Sequence, residues 1–204
     1  MGESEVQLRT YAFIDRMQPQ YAAFLGSELD GDVPLAGMAE LWLELAPGSE
    51  VYSLLDSALK ATDARPGLQM VEREFGLIEL HSPSVDQVRD AGSRILDAAG
   101  LSVEQRLTAR VVSAQTITSV HPYQAQQINK MRKGSLLLPG QSLVVIEVEP
   151  AAYVVQAANE AEKAAHVNLV HFNPFGRFGR LWMAGTESDA ATAREAAIAA
   201  FEGR

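Results

Sequence analysis

Two stretches of the sequence share one pattern of apolar and polar positions. Residues 68–80 read LQMVEREFGLIEL, in which two apolar runs flank the charged break Glu72-Arg73-Glu74. Residues 167–183 read VNLVHFNPFGRFGRLWM, in which residues 173–176 form the break. In each stretch a Phe-Gly pair stands at the start of the returning run. Apolar runs of this length, separated by polar residues and glycine, are typical of β-hairpins. The pattern therefore predicts two equivalent hairpins.

The sequence around the hairpins predicts one order of elements twice, as an α+β fold in which helices cover a sheet. Apolar alternation marks the strands, and apolar residues spaced three and four apart mark the helices. The predicted elements are strands at 8–14 and 39–45, a helix at 47–62, the first hairpin, a helix at 83–99, strands at 109–117 and 143–148, a helix at 150–165, the second hairpin and a final helix from about 187. Gly100 is the predicted stop of the helix at 83–99. Residues 19–25 predict a connector or single helical turn, 26–37 a loop, and 122–140 a connector.

The strand at 39–45 shows the clearest alternation. Leu41, Leu43 and Leu45 alternate with Glu40, Trp42 and Glu44, which predicts a strand with one face buried and one face in water.

An internal repeat relates the two halves at a spacing of 103 residues. At this spacing Pro47 meets Pro150, Phe75-Gly76 meets Phe178-Gly179, and Gly100 meets Gly203. The matches fall on helix starts, turns and core positions, where the backbone constrains the residue type. The predicted organisation is a leader at 1–7, a first domain at 8–103 and a second at 104–204.

Composition and charge narrow the class of protein. The net charge is −9 and the pI about 4.9, which disfavours a nucleic-acid partner, since phosphate binding requires a basic surface. The absence of cysteine excludes disulfides, thiolate catalysis and cysteine-based metal sites. No stretch reaches the ~20 apolar residues of a membrane span, and the start does not resemble a signal peptide. We expect a soluble, cytoplasmic protein that binds no membrane.

The residues indicate no catalytic site, metal site or cofactor. The four histidines, at 81, 121, 166 and 171, lack metal-ligand spacing, and we interpret each as a strand-end or loop residue. The pair Glu72-Arg73 has two interpretations. It is either an exposed charge pair of little energetic value, or part of a charged ring where several copies meet at a pore.

Both copies resemble the bacterial microcompartment shell domain in its circularly permuted form. The resemblance covers almost the whole chain and rests on MAELWLE, LDSALKATDA, GLQMVEREFGLIEL and SVDQVRDAGSRILDAAG in the first copy and on LVVIEVE, ANEAEKAAHV and NLVHFNPFGRFGRLWMAG in the second. The strand that usually ends the domain stands first here, as RTYAFIDR and TARVVSAQT. The chain is most similar to the tandem-domain subgroup of carboxysomes and related shells, whose trimers form pseudohexamers.

The resemblance implies a non-enzymatic tile in a microcompartment shell. Three copies would form a homotrimer, single or stacked, with a central pore for small polar metabolites and edges that meet other shell proteins. The implied pore and gating residues are Glu72, Arg73, Glu74, Phe75, Phe175, Gly176 and Arg177. The implied edge residues are Lys60, Lys163 and Arg16. From the residues alone, both lysines are also well placed against helix C-terminal dipoles.

A rival hypothesis is a duplicated α+β barrel that acts as an enzyme or as a small-ligand regulator. It requires a pocket with converging polar groups inside one copy of the chain. A monomer or dimer that binds a metabolite would favour the rival, and a trimer that forms hexagonal sheets would favour the tile.

Overall fold

A computed structural model describes residues 6–201, and the first five residues of the predicted leader lie outside this range. The chain forms two compact units. Of the described residues, the first unit contains 6–17 together with 29–107, and the second contains 18–28 together with 108–201. Residues 18–28, which belong to the predicted first domain, therefore pack with the second unit.

Each unit contains a four-stranded antiparallel sheet covered by helices, which confirms the predicted α+β fold. The elements are β1 (Gln7–Ile14), α1 (Pro19–Glu28), β2 (Ala39–Ala46), α2 (Val51–Leu59), β3 (Arg65–Glu72), β4 (Phe75–Ser82), α3 (Val85–Ala99), β5 (Arg110–Ile117), α4 (Pro122–Met131), β6 (Ser142–Glu149), α5 (Val154–Ala164), β7 (Asn168–Asn173), β8 (Gly179–Gly185) and α6 (Glu187–Ala199). The strand orders, β1-β2-β4-β3 and β5-β6-β8-β7, are identical. In both sheets a hairpin strand, β3 or β7, lies at the edge.

The core of the first unit lies between its sheet and the helices α2 and α3. Val51, Leu54, Leu55 and Ala58 of α2 are buried there, as the helical spacing of the apolar residues predicts. At the end of α3, Gly100 adopts φ 66° and caps the helix in the left-handed conformation. This confirms the predicted glycine stop, because glycine takes that conformation without a Cβ penalty.

The spacing of 103 residues is also confirmed in the backbone. Met17 N donates to Met38 O at 2.9 Å in the first unit, and Val120 N donates to Gln141 O at 2.9 Å in the second. The tight packing of the repeated Phe-Gly pairs is equivalent as well. A Cβ on Gly76 would collide with the carbonyl oxygen of Gly48, and one on Gly179 with that of Ala151. Both hairpins therefore require glycine where their second strand begins.

The prediction that β2 is half buried is wrong. Glu40, Trp42 and Glu44 are all 1 % exposed or less. β2 is a central strand, with β1 and β4 as neighbours, and its acidic side chains are buried with polar partners described below. Alternating polarity does not require a solvent-facing side when charged residues find such partners.

The predictions for the two connectors are also wrong in part. Residues 19–28 form the ten-residue helix α1, which extends into the predicted loop, and residues 122–131 form the ten-residue helix α4. In α4, the sequence PYQAQQINKM has only Ala125 fully buried, so the apolar stripe that identifies a helix in sequence is absent.

Candidate functional site

The first candidate loop is the two-residue turn between β3 and β4. Glu72 pairs with Phe75 across the hairpin, which leaves Arg73 and Glu74 as the turn. Arg73 has φ 55°, in the left-handed region that disfavours residues with a side chain. Its side chain is 89 % exposed, and its Nε lies 3.5 Å from Oε1 of Glu72. The turn thus exposes the Arg73 guanidinium to solvent. Its backbone adopts a conformation that is easier for glycine than for arginine.

Glu72 is less exposed than Arg73, at 30 % of its side chain. Its second carboxylate oxygen, Oε2, is buried and has no hydrogen-bond partner among residues 6–201. A buried carboxylate oxygen without a donor is energetically unfavourable. Because Oε2 is inaccessible, a group outside the single chain can reach this side chain only through its exposed part.

The base of this hairpin is firmly held. The Arg9 guanidinium lies 3.7 Å from the centre of the Phe75 ring. Nε of Arg9 also donates to Oε1 of Glu44 at 2.6 Å, and the two side chains are 11 % and 1 % exposed. Phe75 therefore belongs to a buried anchor, whereas the turn above it contacts little of the described chain.

The second candidate loop, residues 174–178, connects β7 to β8. Asn173 Oδ1 accepts a hydrogen bond from Phe175 N at 3.0 Å, and Gly176 adopts φ 83°. Nε of Arg177 donates to Oε1 of Glu149 at 3.1 Å, and Nη2 of Arg110 donates to Oε2 of the same residue at 2.5 Å. This loop is longer than the first turn, and Arg177 ties it to Glu149 at the end of β6.

The hydrogen bonds to Glu149 also change its acidity. The Arg110 and then the Arg177 guanidinium lower the pKa of the Glu149 carboxyl, because both stabilise its ionised form. The Glu149 carboxylate, which holds the second loop to its unit, therefore remains ionised in mild acid.

The predicted edge residues lie on solvent-exposed surface at helix ends or in a connecting segment. Lys60 follows the last residue of α2, and its Nζ lies 2.5 Å from Oδ2 of Asp56. Lys163 lies in the last turn of α5, 3.4 Å from Glu160. The two lysine side chains are 74 % and 57 % exposed, and Arg16 is exposed after β1. The two lysine positions are equivalent in the internal repeat, because they are 103 residues apart.

The first unit contains a buried polar cluster that the sequence patterns do not predict. Both ring nitrogens of His81 are bonded, Nε2 to Oδ1 of Asp32 and Nδ1 to Oε1 of Glu79, each at 3.0 Å. Glu79 also accepts a hydrogen bond from Gly67 N at 2.8 Å and shares one with Glu40. The positions 103 residues after Glu40, Glu79 and His81 are Leu143, Trp182 and Ala184. The sequence therefore indicates this cluster only through the difference between the two copies, since the second copy has apolar residues where the first has ionisable ones.

Burial and neighbouring charges shift the acidities in this cluster. Burial raises the pKa of Glu79, against the opposing effect of His81. Burial alone lowers the pKa of His81, but the hydrogen bond and charge of Glu79, and then those of Asp32, outweigh it and give a net rise. The hydrogen bond from His81 lowers the pKa of Asp32. The cluster favours a protonated imidazole between carboxylates.

Comparison with known sequences gives matches to shell proteins over almost the whole chain. The family described as CsoS1D N-terminal domain matches residues 8–105. The carboxysome shell protein CcmP of Synechococcus elongatus is 45 % identical over 197 residues, which are 97 % of this chain and 92 % of the relative. The carboxysome shell protein CsoS1D of Hydrogenovibrio crunogenus is 43 % identical over 198 residues, 97 % of each chain.

Two solved structures are also similar over almost their whole length. The fused permuted hexameric shell protein of the RMM microcompartment has a TM-score of 0.93 and 39 % identity, and the match covers 96 % of each chain. The double ringed trimeric shell protein of the same compartment has a TM-score of 0.93 and 36 % identity, with 98 % of this chain and 97 % of the other covered. No helix within residues 6–201 is long and apolar enough to cross a membrane.

Proposed function

The chain belongs to the family of microcompartment shell proteins that includes CcmP and CsoS1D, and from this we propose that it is a structural, non-enzymatic shell protein of a bacterial microcompartment. The observation that carries the proposal is the match of both units to shell proteins at 40–45 % identity over 97 % of the chain. Three copies, with two similar units each, would form a pseudohexameric trimer that meets other shell proteins at its edges.

The proposed tile has a central pore for small polar metabolites. Its lining comes from two different loops, which alternate around the threefold axis: Glu72, Arg73 and Glu74 above Phe75 in one, and Phe175, Gly176 and Arg177 in the other. The difference between the loops supports two packings of the pore. The second loop is tied to Glu149 by Arg177, whereas the exposed turn at Arg73 pairs only with its neighbour Glu72 at 3.5 Å among the ion pairs of the described chain.

In the closed packing, Glu72 and Arg73 of neighbouring copies pair across the axis, and in the open packing they move apart. The exposed Arg73 supplies a donor for this contact, and the partly exposed Glu72 carboxylate supplies an acceptor. A left-handed backbone at a residue other than glycine costs about 1–2 kcal/mol, and such strain concentrates at switching segments.

Alanine variants of Glu72 and Arg73 test whether this pair gates the pore, that is, whether it switches the pore between the closed and the open packing. We expect Glu72→Ala and Arg73→Ala each to remove the closed packing, because each deletes one partner of the pair, and to raise metabolite permeability severalfold. The measurements are trimer structures of both variants and solute flux through assembled shells. Asp90→Ala is the control, since Asp90 is exposed on α3 and lies outside both loops of the proposed pore. Pore conformations and flux that stay unchanged in both variants would refute the gate.

Lys60 tests the proposed edge. Lys60→Asp places a negative charge where the edge requires a cation, so we expect it to abolish hexagonal sheets, seen by electron microscopy, while the trimer remains intact. Arg94→Asp makes the same charge change at an exposed position in the middle of α3 and should leave sheets unaffected. Normal sheets from Lys60→Asp would remove this lysine from the edge, and a wild-type protein that is monomeric or dimeric would refute the tile itself.

A further inference from the structure

Helix α1 is seated on the edge of the second sheet by specific hydrogen bonds. The side-chain amide of Gln20 binds the backbone at the start of β7 as a neighbouring strand would: its Nε2 donates to Val167 O at 2.8 Å, and its Oε1 accepts from Leu169 N at 3.1 Å. The two carboxylate oxygens of Glu162 accept the backbone N–H groups of Gln20 and Tyr21, each at 2.8 Å. This contact covers the edge that would otherwise expose unpaired backbone groups.

Aromatic packing completes the contact. The Tyr21 ring stacks on Phe172 with the ring centres 5.3 Å apart, and the Phe24 ring lies 4.1 Å from the same ring. Tyr21, Phe24 and Phe172 are each 5 % exposed or less. Helix α1 is thus an integral part of the second unit, and its contact surface is defined by Gln20, Tyr21 and Phe24.

Helix α4 is the counterpart of α1 at the spacing of 103 residues, yet the equivalent face is exposed. Tyr123, Gln124 and Gln127 stand where α1 has Gln20, Tyr21 and Phe24, and all three are exposed, Tyr123 by 75 %. Only the opposite face of α4, with Ala125, packs into the core of its own unit.

The surface equivalent to the α1 seat is also uncovered. On the first unit a groove of about 370 Å³ is lined by Leu55, Leu59, Pro66, Leu68 and Gln69, among others. Leu59, Pro66 and Gln69 are the residues 103 positions before Glu162, Leu169 and Phe172. Leu59 is 39 % exposed. The first unit therefore has an open groove at the place where the second unit binds α1.

Relative to the α1 contact, the residue types on the exposed face of α4 and in the groove of the first unit change together. Pro66 has no N–H to donate where Leu169 has one, and the helix correspondingly presents the Tyr123 ring in place of the Gln20 amide. Leu59, an apolar residue, replaces the Glu162 carboxylate beside it. The aromatic pair Tyr21–Phe172 becomes Gln124–Gln69, whose amides can hydrogen bond to each other.

The charges at the end of the helix are also complementary. Glu28, at the end of α1, pairs with Lys133 of its unit at 3.3 Å. At the equivalent place on the first unit the residue is Asp30, which lines the groove. The counterpart of Glu28 is Met131, which carries no charge, but its neighbour Lys130 in the last turn of α4 supplies a cation. A cation on the helix can therefore pair with the anion of the groove.

We propose that the exposed face of α4 in one copy of the chain docks into the groove of the first unit in the next copy. Both surfaces are exposed in the single chain, so a second copy must supply the partner. The contact is head to tail and can repeat from copy to copy, and in the proposed homotrimer three such contacts close the ring. The inference rests on the proposed homotrimer and identifies the contact that closes it: Tyr123 against Leu59 and Pro66, Gln124 against Gln69, and Lys130 against Asp30.

The first test compares two charge insertions on the same helix. Tyr123→Glu places a carboxylate in the apolar part of the contact, and we expect the concentration at which the trimer half-dissociates to rise at least about 30-fold, as for a central interface residue. Gln126→Glu is the matched control, because its counterpart Ala23 remains exposed beside the buried face of α1. Native mass spectrometry and analytical ultracentrifugation measure the change, with circular dichroism to confirm that both variants are folded.

The outcomes separate this inference from the proposed function. A wild-type trimer with equal dissociation in both variants would overturn the α4 contact and leave the tile standing. A wild-type protein that is not a trimer would overturn both.

Disulfide cross-linking tests the contact directly, since the chain contains no cysteine. We expect Gln69→Cys combined with Gln124→Cys to give bands of two and three chains on a denaturing gel after mild oxidation. Gln69→Cys combined with Gln126→Cys should give single chains under the same conditions. Cross-links within one chain, or none in the first pair while the trimer persists, would overturn the proposal.

Discussion

Replacement of His81 by leucine is expected to lower the free energy of unfolding of the first unit by about 3–5 kcal/mol at neutral pH. The change removes the partner of Glu79 and leaves that carboxylate buried without a countercharge, which is the costly way to break a buried ion pair. Glu79 and His81 are both fully buried. Hydrogen exchange of the β2 and β4 amides measures the loss, because it reports the stability of one unit separately.

The pH dependence of the wild type follows from the same cluster. The pKa of His81 is raised above its ordinary 6.5, so its stabilising effect is complete below 6.5 and is lost as the pH rises through the raised value. The raised pKa of Glu79 acts in the same direction, and the lowered pKa of Asp32 matters only in acid. We expect the first unit to be less stable at about pH 9 than at about pH 6.

The double variant Glu79→Leu with His81→Leu is the control for the cluster. The second unit has Trp182 and Ala184 at these positions, so the fold accepts apolar residues there. With both charges removed, we expect much of the loss to be recovered and the fall in stability towards alkaline pH to be reduced. A double variant no more stable than His81→Leu would show that leucine disrupts packing, and the electrostatic explanation would be wrong.

Arg9→Met is expected to destabilise the first unit by about 3 kcal/mol. Methionine keeps the apolar stem but removes the charge from the buried pair with Glu44 and from the face of the Phe75 ring. Because Phe75 begins the strand after the first loop, amide exchange at residues 72–76 should also accelerate.

The matched control for Arg9 is Arg110→Met. Arg110 pairs with Glu149 in the second unit, but its side chain is 64 % exposed, and exposed ion pairs contribute about 1 kcal/mol or less. Equal losses in the two variants would contradict the view that burial makes the Arg9–Glu44 pair important.

Much of the fold could be predicted because its signals are local. The hairpins, the α2 stripe, the Gly100 stop and the 103-residue repeat all depend on residues near in sequence or on one spacing. Helix α4 could not be predicted in this way, because its exposed face carries glutamines and a tyrosine in place of an apolar stripe. If that face is an interface between copies, the missing signal has a physical cause: its partner belongs to another chain.

The buried cluster and the loops show a second limit. Glu40 and Glu44 look like solvent-facing residues of an alternating strand. Their burial is explained by tertiary partners, since Arg9 pairs with Glu44 and Glu79 shares a hydrogen bond with Glu40. The Glu72-Arg73 pair was found from sequence as the tip of a hairpin. Its placement at a pore is a property of an assembly, which neither periodicity nor composition encodes, and it stays a prediction.

The most direct test of the central claim is a structure of the purified wild-type protein in solution by electron cryomicroscopy. The account predicts a homotrimer in which Glu72 and Arg73 from three copies, alternating with the loop at residues 174–178, surround the threefold axis. A monomer or dimer, or a trimer with these loops on its outer rim, would contradict it.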